Sequence, residues 1–261
     1  MKAKFQFIAA LLALFSVTGC NIDHVNISSR IQGKWVLVEA DQAAVPTDDS
    51  FVITFTSATS ARVSMLLDAY EGAGEWIREA LFNVDLQGET IHLSGNLAAE
   101  TSYTAVLQIK SLYDDMMICD CLITEVIDSS PIRQEYTGVF IRDDVDYSQE
   151  IIGTWEGDEL REDDSGLPDG KKCRFEFLWD GTYNYYRQES DGTWKKSADE
   201  FSHYFCDGDV LFMRWRNLGF GKVTNCSSWE YEIRQNMMRW KALRKREDGS
   251  TYSVTVDFTK V

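Results

Sequence analysis

The chain of 261 residues carries 26 Lys and Arg against 42 Asp and Glu, a formal charge of −16, with 44% hydrophobic residues, 17 Gly and 3 Pro. That composition is globular and excludes a disordered tail, a collagen-like chain and a polytopic membrane protein. The acidity excludes nucleic acid as a partner, because neutralising phosphates takes clustered Lys and Arg. The length allows one or two domains.

Residues 1–20 read MKAKFQFIAALLALFSVTGC. Lys2 and Lys4 precede an apolar run from Phe5 to Val17, which is too short to span a bilayer and ends in Thr18-Gly19-Cys20. This segment resembles the signal peptide and lipobox of bacterial lipoproteins. The resemblance implies removal of residues 1–19, acylation of Cys20 and stable attachment to a membrane through the lipid. By the same analogy, a residue other than Asp after the lipidated Cys points to the outer membrane of a cell envelope, with the leaflet left open. Losing Lys2 and Lys4 lowers the charge from −16 to −18, so anionic lipid repels the body and the acyl chains alone hold it. Residues 21–29, NIDHVNISS, read as a polar tether that completes the anchor segment 20–29.

Beyond the tether the chain repeats itself. Gly33-Lys34-Trp35 returns as Gly153-Thr154-Trp155 and Gly88 as Gly208, both at an offset of 120. Met116-Met117 returns as Met237-Met238, offset 121, and Phe140-Ile141-Arg142 as Phe258-Thr259-Lys260, offset 118. Two related domains follow, 30–145 and 146–261, joined near Asp143–Ser148.

Period-two alternation cuts each half into eight strands. The first half gives 33–40, 50–56, 60–67, 79–86, 89–95, 102–111, 115–123 and 134–142, with a helical turn or two allowed at 68–79. The second gives 153–160, 172–179, 182–188, 199–206, 209–216, 227–234, 237–244 and 251–259. One edge of the second of these carries Cys173, Phe175, Phe177 and Trp179. Tight turns such as Asp180-Gly181 and Asp207-Gly208 alternate with longer connections. In an antiparallel meander, alternate connections lie at opposite ends. Each half therefore reads as an all-β, eight-stranded up-and-down antiparallel barrel with a closed floor and a loop-built mouth.

Eight such strands with Gly-x-Trp on the first and a cation after the last resemble the lipocalin pattern. The resemblance implies that Trp35 packs across one floor against Arg142, and Trp155 across the other against Lys260. Two such domains in tandem behind a lipobox are similar to the lipocalin-like lipoproteins of Bacteroides-type bacteria. The implied function is a barrel that binds a small molecule or a partner.

No catalytic constellation is visible. The three His (His24, His92, His203) fall in the tether and in strands, and no phosphate loop, nucleophile elbow or His-Glu-x-x-His occurs. Binding rather than catalysis is expected, with no cofactor and no metal. The acidic run 159–164, ELREDD, reads as a solvated face. Cys119 and Cys121 share one face of one strand, where they read as small core residues. Cys173 and Cys226 both fall at the mouth end, which makes them the most feasible disulfide pair in an oxidising envelope.

Aromatic residues crowd the second half. Trp194 and Phe220 fall in mouth loops, with Trp215, Trp229 and Tyr231 on strands. These five are the candidate contacts for a small hydrophobic, aromatic or sugar ligand held by shape and stacking. The competing reading is an interior plugged by its own rings, with the loops recognising another envelope protein.

Overall fold

The computed structural model describes residues 27–67, 75–98, 101–127, 129–160, 165, 167–198, 200–216 and 224–261. The signal segment, Cys20 and Phe220 lie outside the described residues. A single helical turn, α1 (Ile27–Arg30), opens the described chain. It was expected to belong to the tether, but Ile27 and Ile31 are buried and the turn caps the first core.

The first sheet contains β1 (Gly33–Ala40), β2 (Ala43–Ala44), β3 (Phe51–Ser57), β4 (Ser60–Leu67) and β5 (Glu75–Gln87). It continues with β6 (Thr90–Ala98), β7 (Thr101–Leu112), β8 (Met116–Ile127) and β9 (Ser130–Asp143). β1 pairs with both β3 and β9, so eight antiparallel strands close into a barrel, with the short β2 folded back on the end of β1. The second sheet contains β10 (Gly153–Leu160), β11 (Pro168–Phe177), β12 (Tyr183–Gln188), β13 (Trp194–Lys196) and β14 (Glu200–Asp207). β15 (Val210–Arg216), β16 (Thr224–Arg234), β17 (Met237–Lys245) and β18 (Thr251–Lys260) complete it. This sheet curls until β12 and β14 meet at one bridge, Thr182 to His203, reinforced by Tyr204 N–H to the Gly181 carbonyl at 2.8 Å. The second barrel therefore has a seam where the first has a full ladder.

Several strands run longer than alternation alone predicts. Residues 75–79, expected as part of a helical turn, belong to β5. Ala98 pairs with Thr101 and Ile127 with Ser130, so two connections expected to be long are tight hairpins. The mouth of the first barrel is thus built by extended strand ends as much as by loops. In β11 the alternation stops at Phe177, and Trp179 sits in the following turn, 85% exposed rather than on the inward edge.

The repeat is physical at the two floors. Trp35 lies opposite Arg142 and Trp155 opposite Lys260 across the closing strand pair. Both indoles are fully buried, and each donates its N–H to a carbonyl four residues earlier, Ile31 at 2.8 Å and Ile151 at 2.6 Å. The Arg142 guanidinium stacks 4.5 Å from Trp35, and Lys260 Nζ sits 4.9 Å from Trp155. The glycine of each Gly-x-Trp is required twice over. Gly33 and Gly153 have φ of +106° and +126°, and a Cβ there would fall 2.7 Å from Arg142 Nη1 and 2.9 Å from Lys260 Cε.

The barrels lie side by side with both floors at one end. Lys34 Nζ reaches Asp207 at 2.8 Å and Asp143 accepts the Asp209 N–H at 3.0 Å, joining floor to floor. At the mouth end, the 3-10 turn Thr47–Asp49 between β2 and β3 docks on the second barrel. Thr47 Oγ1 accepts the Leu243 N–H at 2.9 Å, and Asp48 pairs with Arg244 at 2.5 Å. Between these lies an apolar seam of Val36, Val52, Trp76, Val210 and Phe212, in which the Trp76 indole donates to the Met213 carbonyl at 2.9 Å.

Asp209 sits in that interface beside the Asp143 and Glu230 carboxylates. Burial and those like charges, against the pull of Lys34, push its carboxyl up to about 7. In the unfolded chain the same group titrates at about 3.9. Between those values the folded state holds a proton that the unfolded state has released, so stability falls as pH rises through that window. Asp209→Asn is expected to stabilise the protein by about 1–3 kcal/mol at pH 8 and to change nothing at pH 3, as read by urea denaturation at both pH values.

Candidate functional site

Among the described residues neither barrel is filled. The first encloses a cavity of about 520 Å³ and the second one of about 330 Å³. Trp215 and Trp229, which the competing reading has plugging the second barrel, line its cavity instead, with Trp240 beside them on the wall of a curled sheet.

The first cavity follows from alternation. The faces of β7 and β8 that bury Leu107, Ile109, Cys119 and Cys121 continue mouthward to Tyr103, Ile123 and Glu125. Its walls are apolar, with Leu37, Ile53, Val63, Phe82 and Leu93 among them. Tyr103 lies opposite Glu125 and donates its hydroxyl to Glu125 Oε1, while Tyr136 presents a second phenol from β9. Burial and the neighbouring Glu125 carboxylate push the Tyr103 hydroxyl up, and burial does the same at Tyr136. Both stay neutral phenols. Burial also lifts the Cys121 thiol to about 12, which makes the Cys119–Cys121 pair inert core, as expected from their shared face.

The second cavity is aromatic. Trp215, Trp229, Trp240, Phe175 and Tyr185 surround it, with Trp229 and Trp240 centroids 5.3 Å apart. Its rim carries Glu159, which is 8% exposed rather than part of a solvated acidic face. Glu159 Oε1 accepts the Tyr185 hydroxyl at 3.0 Å and pairs with Arg187 Nε at 2.5 Å. Residues 161–164 of the acidic run lie outside the described residues. The Arg244 guanidinium stacks 4.4 Å from Trp229 while Asp48 holds it, so the loop that walls the first cavity also braces the second.

Of the five ring residues singled out in the sequence, Trp215 and Trp229 reach the cavity. Tyr231 is buried in the core, 5.5 Å from Tyr147, and does not line it. Trp194 lies on β13 outside the barrel with Arg174 over its ring at 4.1 Å, because β13 pairs onto the free edge of β12 and turns the indole to the outer face. The Cys173–Cys226 bridge is not formed. Cys173 faces the second cavity, whereas Cys226, one residue from the inward Ser227, packs against the apolar seam between the barrels. Tyr103, Glu125 and Tyr136 were missed by sequence reasoning. Continuing the Cys119–Cys121 alternation by two steps would have found Glu125.

No family model matches the chain, and no curated protein matches it. Among solved structures, a mutant of the vaccine antigen Transferrin Binding Protein B from Haemophilus parasuis aligns at 7% identity with a TM-score of 0.26. That alignment covers 81% of this chain and 53% of the other, so this chain spans about half the length of that protein. A protein with unknown function from the DUF3598 family, from Nostoc punctiforme, aligns at 11% identity with a TM-score of 0.25, covering 89% of this chain and 97% of the other.

Proposed function

We propose that this is a lipocalin-like lipoprotein of the cell envelope, attached through lipidated Cys20, which acts by binding small apolar or aromatic ligands rather than by catalysis. The observation that carries this reading is the pair of unfilled interiors, about 520 and 330 Å³, within the size range of small-molecule sites. The lipobox-like end of residues 1–20 supports the anchor. The two Trp–cation floors support the lipocalin-like assignment. Cys20 stands seven residues before Ile27 at the first floor, a reach of at most about 25 Å of extended chain. The anchor therefore keeps the first floor within that reach of the membrane.

Every contact described above involves residues from Ile27 onward, so the fragment 21–261 contains the whole described fold. Native mass spectrometry of that fragment, expressed in its own host, is expected to show a small-molecule adduct that organic solvent releases. A bare mass together with a co-purifying protein would overturn the reading in favour of an interaction module. In parallel, radiolabelled palmitate is expected to enter the full chain and to be lost in Cys20→Ala.

A further inference from the structure

The geometry points to a chemical class for the first cavity, an assignment that rests on the ligand-binding reading above. It takes a single-chain amphiphile whose head is uncharged or cationic and bears a hydroxyl or amine, and it rejects carboxylate, sulfonate and phosphate heads.

Three observations converge. The deeper walls are hydrocarbon, from Leu37, Ile53, Val63 and Leu93, and suit an alkyl tail. The charged residues lining this cavity are Asp49 and Glu125, both carboxylates, and no Lys, Arg or His lines it among the described residues. An anionic head drawn in with its tail would lose water beside a like charge with no cation to pair. The third observation is the hydrogen-bonding capacity at the rim. Glu125 uses Oε1 for Tyr103, which leaves Oε2 to accept from a ligand, and the Tyr136 hydroxyl makes no hydrogen bond among the described residues. A hydroxyl or ammonium head satisfies both groups, donating to Glu125 and contacting a neutral phenol. The second cavity differs, because Arg187 stands at its rim beside Glu159. The selectivity therefore belongs to the first barrel.

The test uses two dyes with one ring system. N-phenyl-1-naphthylamine is neutral, and 1-anilinonaphthalene-8-sulfonate adds one sulfonate. The 21–261 fragment is expected to bind the neutral dye at least tenfold more tightly than the sulfonate. Monododecanoylglycerol should displace the neutral dye, and dodecanoate at the same concentration should not. Ala105→Trp, at the mouth of the first barrel, should weaken the neutral dye at least tenfold. Glu125→Gln should bring the two dyes to within about threefold of each other while circular dichroism shows an intact fold, so the result does not depend on the bulkier variant. Equal binding of the two dyes, displacement by dodecanoate, or indifference to both substitutions overturns the inference and leaves the ligand-binding reading standing. Failure of both dyes and both lipids to bind overturns the two together.

Discussion

Trp35→Ala is expected to cost about 3–5 kcal/mol of stability, measured by urea denaturation. The side chain is fully buried at the floor of the first barrel, where it closes the core under Ile31, Met117 and Phe140. Truncation leaves a cavity there and removes the acceptor ring beneath Arg142. Arg142 itself donates to the carbonyls of Arg30 at 2.5 Å, Gln32 at 2.6 Å and Asp114 at 2.6 Å, tying α1, the start of β1 and the β7–β8 turn into one lid. Arg142→Ala strands those carbonyls as well as the ring face, and a loss of about 2–4 kcal/mol is expected. Lys260 makes one such bond, to Glu150 at 2.9 Å, so Lys260→Ala should cost only about 1 kcal/mol. The contrast between the two cations is the diagnostic. Equal losses would mean that the guanidinium's extra hydrogen bonds contribute nothing, and that the floor is held by ring burial alone.

Phe212→Ala tests the seam between the barrels, with an expected loss of about 3–5 kcal/mol. The ring is 1% exposed and lies 4.5 Å from Trp76 of the first barrel and 4.6 Å from Phe205 of the second. It packs on the outside of its own barrel, so its removal spares both interiors and both floors. Polar clamps remain at either end, with Lys34 on Asp207 and Asp48 on Arg244, but each is short of the apolar area that makes two barrels unfold as one. Calorimetry of the wild type should show one transition, and the variant should show two. A single transition shifted by a degree or less would show that the clamps, and not the seam, couple the barrels.

Much of this architecture is legible in the sequence because strand alternation and turn residues act locally. β1, β4, β10 and β12 fall within a residue of the segments that alternation marks, and Gly88 and Gly208 do form corresponding turns at the floors. Where strands run long, as in β8 and β9, exposed residues such as Arg133 and Glu135 continue a ladder whose hydrogen bonds need no particular side chain. Composition therefore does not mark the end. Trp194 shows the opposite limit. Its neighbours Asp191-Gly192-Thr193 announce a turn correctly, but which face the indole covers depends on β13 pairing with the free edge of β12.

The sequence by itself marked most of the strands, the recurrence of landmarks near an offset of 120 and the shared inward face of Cys119 and Cys121, since each depends on neighbours along one strand or on a repeat of spacing, whereas the two Trp–cation floors were expected only through the lipocalin resemblance. Only the tertiary structure decided that the interiors stay open among the described residues, that Cys226 faces the seam between barrels, and that Glu125 and Tyr136 stand together at a mouth that no described cation lines. The physical reason is that volume and electrostatics are properties of closure. Whether rings fill a barrel, and which charges share a rim, is set by the curl and register of strands far apart in the chain, and no local pattern encodes either.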